Sequence, residues 1–217
     1  MKWTLFSDSL KNRFRLFFDP LVGFLVRRNF NPNHLTTLSL LFCAIASYFF
    51  AKGALRWGAF YLLVGGTLDM IDGSVARASN RVTKFGALYD STLDRYAEIL
   101  VFLGIGIHFT FSINLESNLR NIAIIAVFLS LAGSVMVSYV RARAEGLGFD
   151  CRVGLLQRPE RLVALSIGLL ISEIALIVVM LLIAALANFT AVQRIYHIWS
   201  TENSERWKKL PTDLGHE

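Results

Sequence analysis

Four aspartates lie in one short segment of the chain, at spacings that follow the helical repeat. Asp69 and Asp72 are three residues apart, and Asp90 and Asp94 are four residues apart. Residues at these separations share one face of an α-helix, and the polar segment 79–84 between the two pairs predicts a turn. An antiparallel helical hairpin would therefore bring four carboxylates together.

Such a cluster predicts a divalent-cation site, because the carboxylates would otherwise repel one another. Two unit charges ~5 Å apart repel by about 3 kcal/mol at an effective dielectric of about 20, and oxygen ligands suit Mg²⁺ or Mn²⁺. Two ions held by aspartates can neutralise phosphate oxygens, align an attacking hydroxyl and stabilise a leaving phosphate. Gly73 and Gly86 would let a ligand approach the backbone, and Arg77 offers a cation for phosphate. These residues predict phosphoryl transfer.

The helices that must position the aspartates are predicted to cross a membrane. Of the 217 residues, 54% are hydrophobic and 18% are charged. The segment 122–140 has no charged residue, and 162–192 has only Glu173, whereas a span needs about 20 mostly apolar residues. We predict an all-α integral membrane protein with six transmembrane helices. They fall near residues 35–51, 55 to the 70s, 86–112, 121–143, 158–172 and 175–199, with a turn at Glu173 between the last two.

The N-terminal segment predicts an amphipathic helix that lies in the membrane interface. Aromatic residues and leucine recur at helical spacing over 2–18, with basic residues mainly on the other side; the alternative is an amphipathic helix packed on the protein. We therefore divide the chain into the interfacial helix at 1–30, a catalytic domain at 31–200 and a cytoplasmic tail at 201–217.

The distribution of basic residues predicts the orientation in the membrane. With both termini in the cytoplasm, the outer side keeps only Lys52, Arg56 and Arg120 of the 22 Lys and Arg residues. Because cytoplasmic loops are enriched in Lys and Arg, we predict a multi-pass protein of the inner (cytoplasmic) cell membrane. Both termini and the aspartates would lie on its cytoplasmic side.

The segment 69–94 resembles the signature of the CDP-alcohol phosphotransferase family, D-x2-D-G-x2-A-R-x8-G-x3-D-x3-D, at every specified position. Six spans behind a short amphipathic helix are also similar to this family. The resemblance implies that Asp69, Asp72 and Asp90 are ligands of two metal ions, Mg²⁺ or alternatively Mn²⁺. It implies that Asp94 is the base that takes the proton from an acceptor hydroxyl, while also contacting a metal.

The same resemblance implies a substrate and an assembly. The hydroxyl would attack the β-phosphate of a CDP-linked lipid, either CDP-diacylglycerol or a CDP-ether lipid, and CMP would leave. The residues implied for the CDP-lipid site are Gly73, Ala76, Arg77, Gly86 and Thr36. Thr36 would help to hold cytidine, although the stretch with Pro32 and Asn33 is equally typical of a helix cap. The family also implies a homodimer, and no nucleic-acid partner is expected.

A second, basic cluster surrounds the loop between the fourth and fifth spans and concerns the acceptor. Its members are Arg141, Arg143, Arg152, Arg158 and Arg161. Arginines at two facing helix ends would suit a phosphorylated acceptor, although basic cytoplasmic loops are common. The segments 138–145 and 158–162 resemble prokaryotic phosphatidylinositol-phosphate synthases. This resemblance implies inositol 1-phosphate, with Arg141, Arg158 and Arg161 at its phosphate; phosphatidylglycerophosphate synthesis from glycerol 3-phosphate is the alternative.

Two further classes of membrane protein use acidic clusters. An intramembrane prenyltransferase also binds metal through aspartates, but it would not require the glycines, alanine and arginine of the signature at these spacings. A cation transporter would need acidic residues along a path, and the four aspartates all lie toward one side. Glu98 continues the face of Asp90 and Asp94 and is expected to pair with an arginine, and His108 is expected on the far side.

Overall fold

The computed structural model describes residues 8–113, 115–151, 153–154 and 158–208, with side chains described from residue 17 to residue 203. All regular structure in these ranges is helical. The helices are α1 (Asp8–Arg27), α2 (Pro32–Ala51), α3 (Leu55–Ala78), α4 (Lys84–Phe111), α5 (Ser117–Gly146), α6 (Arg158–Ile171) and α7 (Glu173–Lys208). The prediction of an all-α protein is confirmed for the described residues.

Four of these helices, α2, α3, α5 and α7, are long and apolar enough to cross a membrane by length and composition, as is typical of a multi-pass membrane protein. The two other predicted spans differ. Helix α4 carries charged residues as far as Glu98, and α6 has only 14 residues, which at 1.5 Å per residue gives a length of about 21 Å. The hydrocarbon core of a bilayer is ~30 Å thick.

Helix α2 packs closely against both α3 and α4, because small residues let the backbones approach. A Cβ atom on Gly104 would lie 2.4 Å from the carbonyl oxygen of Ser47, and one on Gly65 would lie 3.0 Å from the Sγ atom of Cys43. The hydroxyl of Ser47 donates a hydrogen bond to the carbonyl oxygen of Leu100 at 2.6 Å. The contact of α2 with α4 therefore fixes how the aspartates of α4 face the rest of the bundle.

Helices α5 and α7 form a second closely packed pair. Ser130 donates a hydrogen bond to the carbonyl oxygen of Met180 at 2.7 Å, and Asn188 donates one to the carbonyl oxygen of Leu129 at 3.0 Å. Helix α6 packs on α7 and on α3, so it links this pair to the helices that carry Asp69 and Asp72. The core between the helices is filled by large apolar side chains, with Phe102 almost completely buried.

The helix ends agree with local sequence signals. Asn31 caps α2 and Thr83 caps α4 with their side chains, and the amide of Ala175 donates to the Ser172 hydroxyl at 3.1 Å at the start of α7. The predicted break between the last two helices is thus found at Ser172, one residue before Glu173. Helix α7 continues to Lys208, beyond the predicted end at 199.

Helix α1 is longer than the amphipathic segment predicted at 2–18. It extends to Arg27 with Pro20 inside it, and its second half packs on α3 through Val22, Ile71 and Val75. Residues 1–7 lie outside the described part of the chain, as does Arg152 of the basic cluster. The interfacial position of α1 stays a prediction.

Candidate active site

The helical hairpin α3–α4 brings three of the four predicted carboxylates together. One oxygen each of Asp69, Asp72 and Asp90 lies within 4.8 Å of the others. Asp72 is 4% exposed, so its carboxylate is almost fully removed from water. Oxygen ligands this close together suit a hard divalent cation, which would offset their mutual repulsion. The residues present therefore fit a divalent metal ion.

The first turn of α2 contacts the buried member of this carboxylate group. The Thr36 hydroxyl donates a hydrogen bond to Oδ2 of Asp72 at 2.7 Å. Thr36 is not the cap of α2, because the Asn31 side chain accepts from the amide of Asn33 at 3.0 Å and Pro32 follows it as the first helical residue. Asn31 therefore caps the helix, and Thr36 donates to a carboxylate of the site. The predicted role of Thr36 at cytidine stays a prediction.

The remaining signature residues lie in the first turn of α4 and toward the end of α3. A Cβ atom on Gly86 would lie 3.5 Å from the Asn33 amide oxygen, so these two first turns face each other. On α3, a Cβ atom on Gly73 would lie 3.3 Å from Nη1 of Arg77. Arg77 is exposed and Ala76 is half-buried. The glycines thus keep backbone accessible beside the carboxylates.

Arg158, at the start of α6, joins the two aspartate pairs. Its Nη1 atom lies 2.6 Å from Oδ2 of Asp69 and 2.6 Å from Oδ1 of Asp94. One guanidinium therefore links α6 to α3 and α4 at once. Asp94, the predicted base, lies next to the carboxylate group and contacts this arginine.

The two other predicted acceptor arginines are held by glutamates. Arg161 is 2% exposed and donates from Nε and Nη2 to Oε1 of Glu98, at 3.0 and 2.7 Å. Arg141 is exposed and donates to Oε1 of Glu145 at 2.8 Å. The expectation that Glu98 pairs with an arginine is confirmed.

An open cavity of about 1050 Å³ lies beside the aspartates, between α4, α5, α6 and α7. Its volume exceeds that of typical small-molecule pockets, which reach about 1000 Å³. Charged residues of both signs line it: Asp90, Asp94, Arg95, Arg141, Glu145, Arg158, Arg161 and Arg194. The predicted base and all three predicted acceptor arginines thus line the same cavity.

The sequence analysis missed two arginines of this cavity. Arg194 on α7 is 6% exposed and donates to the carbonyl oxygens of Val153, at 2.8 Å, and of Val137. Arg95 on α4 donates to the hydroxyl of Ser138 on α5. The sequence did contain a feature that could have identified Arg194: it is the first charged residue after Glu173 in a long apolar segment. Charged residues in such segments usually have a structural or functional partner.

The opposite end of the bundle holds the histidine that the sequence analysis placed on the far side. His108 is buried, and its Nε2 atom lies 3.2 Å from Oε1 of Glu173. Gly53, in the turn between α2 and α3, faces the same imidazole. This pair closes the end away from the aspartates, so the placement of His108 far from the predicted chemistry is confirmed.

The sequence profile of the CDP-alcohol phosphatidyltransferase family matches residues 29–202, and the chain belongs to this family. Its predicted class, a metal-dependent transferase of that family, is confirmed. Among curated relatives, the chain is 34% identical over 202 residues to the archaetidylinositol phosphate synthase of Methanothermobacter thermautotrophicus, covering 89% of this chain and 96% of that one. It is 32% identical over 198 residues to the phosphatidylinositol phosphate synthase of Corynebacterium glutamicum, covering 89% of each.

Solved structures show the same similarity. The crystal structure of Mycobacterium tuberculosis phosphatidylinositol phosphate synthase with CDP-DAG bound matches with a TM-score of 0.74 and 29% identity, covering 91% of this chain and 96% of that one. The complex of the same enzyme with manganese and citrate also matches with a TM-score of 0.74, covering 91% of this chain and 92% of that one.

Proposed function

We propose that this chain transfers the phosphatidyl group of a CDP-linked lipid to a hydroxyl of inositol 1-phosphate, which yields a phosphatidylinositol phosphate and CMP. The observation that carries the proposal is the three-carboxylate group of Asp69, Asp72 and Asp90 at the edge of a cavity lined by arginines. The names of the relatives support the acceptor, since several are inositol phosphate lipid synthases.

In this reaction the acceptor oxygen forms a bond to the β-phosphorus of the CDP-lipid. The bond between that phosphorus and the oxygen bridging to the α-phosphate breaks, and CMP leaves. We assign Asp94 as the base that receives the hydroxyl proton, because it lines the cavity beside the carboxylate group. A positioned base of this kind contributes about 100-fold to 10,000-fold to the rate.

The carboxylate group would hold two Mg²⁺ ions, with Mn²⁺ as an alternative, through Asp69, Asp72, Asp90 and an oxygen of Asp94. These ions would supply charge neutralisation at the phosphate oxygens. The hydrogen bond from Thr36 keeps the buried carboxylate of Asp72 in one orientation. The protein therefore contributes a preformed set of oxygens, which costs little reorganisation when substrate binds.

The CDP-lipid would lie against the glycine-lined space between α2, α3 and α4. Gly73 and Gly86 allow close approach of the pyrophosphate, Ala76 leaves room beside it, and Arg77 is exposed for a phosphate contact. Thr36 would meet the nucleotide from α2. The lipid is CDP-diacylglycerol or a CDP-ether lipid, in keeping with phosphatidyl and archaetidyl relatives.

The acceptor would occupy the cavity between α4, α5, α6 and α7. Arg141 and Arg158 are our first candidates for its phosphate, because Arg141 is exposed in the cavity and Arg158 lies nearest to the base. Arg161 also lines the cavity, but its guanidinium donates to Glu98. We therefore expect Arg161 to contribute charge at the wall and the other two to make direct contacts.

We further propose the placement of the whole chain. Six helices, α2 to α7, would traverse the inner membrane, with α4 and the short α6 completing the set of four apolar spans. Residues 1–30 would form the interfacial helix, 31–200 the catalytic domain and 201–217 the cytoplasmic tail. Both termini and the carboxylate group would face the cytoplasm, and the protein would act as a homodimer.

An acceptor panel tests the reaction. Purified protein with Mg²⁺ and CDP-diacylglycerol should release CMP with inositol 1-phosphate, and much less with glycerol 3-phosphate or free inositol. CDP-archaeol in place of CDP-diacylglycerol identifies the lipid. Preference for glycerol 3-phosphate would assign the alternative synthase. Absence of CMP with every alcohol, in protein that remains folded, would overturn the proposed function.

A further inference from the structure

Arg158 is shared between the carboxylates and the acceptor cavity. Its Nη1 atom contacts Asp69 and Asp94 at 2.6 Å each, and the side chain is 20% exposed. The same residue lines the cavity with Arg141 and Arg194. The guanidinium therefore contacts two carboxylates and also lines the space proposed for a phosphorylated acceptor.

A guanidinium in this position competes with a metal ion for the same charge. Asp69 belongs to the three-carboxylate group and is also a partner of Arg158. A cation that binds the group must do so beside a fixed positive charge, and it shares the lone pairs of Asp69 with the arginine. Removing that positive charge would leave the carboxylate oxygens to the cation alone and would strengthen their attraction for it.

The neighbouring arginine cannot take over this position without breaking its own contacts. Arg161, one turn further along α6, donates twice to Glu98, whose side chain is 9% exposed. Arg158 is thus the arginine of α6 that faces the aspartates. A phosphate bound in the cavity would be a second anion with which Arg158 could pair in place of these carboxylates.

We propose that Arg158 is an internal counter-cation that exchanges partners: it pairs with Asp69 and Asp94 in the substrate-free protein and with the acceptor phosphate in the loaded site. The inference rests on the proposed function of the site. It has a thermodynamic consequence, because two ligands that bias the same residue are coupled reciprocally. A phosphorylated acceptor that draws Arg158 away tightens cation binding, and a bound cation tightens acceptor binding by the same factor.

The test measures Mn²⁺ binding to the purified full chain by calorimetry, without CDP-lipid. Arg158→Gln should bind Mn²⁺ about tenfold more tightly than the native chain, since the competing charge is removed. Arg158→Lys should fall between the two, because it keeps the charge but carries it on a flexible ammonium group in place of the planar guanidinium. Arg143→Gln is the matched control: it removes the same charge from an exposed position in the last turn of α5, and should change the affinity by less than about twofold.

The second arm of the experiment adds inositol 1-phosphate. It should tighten Mn²⁺ binding severalfold in the native chain and in Arg143→Gln, and should have no such effect in Arg158→Gln. An Arg158→Gln chain that binds Mn²⁺ no more tightly than the native chain overturns the inference while leaving the proposed function in place. A native chain that binds no Mn²⁺ overturns the proposed function itself. If Arg158→Gln does not fold, Arg158→Lys decides, and native behaviour of that variant in both arms refutes the exchange.

Discussion

The two walls of the candidate site differ in how their charges are arranged. On the wall formed by α3 and α4, Asp69, Asp72 and Asp90 present carboxylates to one another. On the wall formed by α5 and α6, each of the three predicted arginines is paired with a carboxylate, Arg141 with Glu145, Arg161 with Glu98 and Arg158 with Asp69 and Asp94. The first wall has an excess of negative charge that favours cations, whereas the second is already neutralised.

The difference has an energetic basis. Buried like charges are unfavourable unless a ligand compensates them, so the carboxylate wall depends on a cation for its stability. The arginine wall is compensated within the protein and must exchange partners to bind an anion. Substitutions on the first wall should therefore act mainly on cation binding and turnover, and substitutions on the second mainly on stability and acceptor binding.

The largest effect is expected on the carboxylate wall. Asp72→Asn should abolish CMP release, with a loss of at least about 1000-fold, because a buried ligand of the cations is removed. Calorimetry should show strongly weakened Mn²⁺ binding. Glu116→Gln, an exposed residue at the N-terminus of α5 and the opposite end of the bundle, is the control for loss of one negative charge. Full activity in Asp72→Asn would show that the site lies elsewhere.

Asp94→Asn tests the proposed base, which is also a proposed ligand of the cations. Turnover should fall by about 100-fold to 10,000-fold, the usual contribution of a positioned base. Binding of CDP-diacylglycerol should persist, because the nucleotide side of the site is formed by other residues. Single-turnover CMP release and equilibrium binding of the CDP-lipid measure the two quantities. If binding of the CDP-lipid is lost together with turnover, Asp94 also contributes to substrate binding, and its assignment as the base is not supported.

Among the carboxylates that pair with the arginine wall, Glu98 on α4 gives the largest expected effect on stability. Glu98→Gln removes a buried carboxylate that pairs with the buried guanidinium of Arg161, which should lower the free energy of unfolding by about 3 kcal/mol. The double variant Glu98→Gln with Arg161→Met should be less destabilised than the sum of the single variants, since both members of the ion pair are then removed together. Unfolding in detergent micelles measures both; simple additivity would mean that the pair contributes no coupling.

A substitution at Thr36 should have a smaller effect on the carboxylate wall than loss of an aspartate. Thr36→Val removes the hydroxyl that donates to the buried Asp72 carboxylate while keeping the shape of the side chain. We expect about tenfold weaker Mn²⁺ binding, in line with the usual cost of an unmade buried hydrogen bond to a charged group. Thr36→Ser should restore most of the affinity. If the valine and serine variants bind equally well, this hydrogen bond does not orient the ligand.

The contrast between the walls also explains what the sequence could predict. The helical repeat and one short turn are enough to bring together the aspartate pairs Asp69/Asp72 and Asp90/Asp94. Their spacing in the sequence was therefore sufficient to predict the carboxylate wall. The break at Ser172 was likewise predicted within one residue by the length of the apolar segment and the polar residues in it.

The arginine wall depends on contacts between residues distant in the sequence, and these have no local signal. Arg158 meets Asp69 across 89 positions, and Arg194 meets Val153 across 41. Whether an arginine points at a glutamate or at a cavity is decided by how α6 packs on α3 and α7. The sequence therefore predicted which arginines lie near the site, but not their partners, and it missed Arg194.

The smallest expected effect concerns the loop that follows α5. Arg194 holds this loop through the carbonyl oxygen of Val153, and Cys151 beside it is fully buried. Burial raises the pKa of the Cys151 thiol, so little thiolate is present at neutral pH and alkylation of the native chain should be slow. Arg194→Gln, measured in a Cys43→Ser background, should speed alkylation of Cys151 severalfold.

The sign of this change distinguishes opening of the loop from a change in electrostatics. The positive charge of Arg194 lowers the pKa of Cys151 against the larger effect of burial, so loss of the charge alone would raise the pKa and slow alkylation at neutral pH. Faster alkylation in Arg194→Gln can therefore come only from exposure of the thiol. Arg194→Lys keeps the charge but cannot reproduce both hydrogen bonds, and should lie between the native chain and Arg194→Gln. Slower alkylation in Arg194→Gln would mean that the loop is held by other contacts and that Arg194 belongs to the cavity alone.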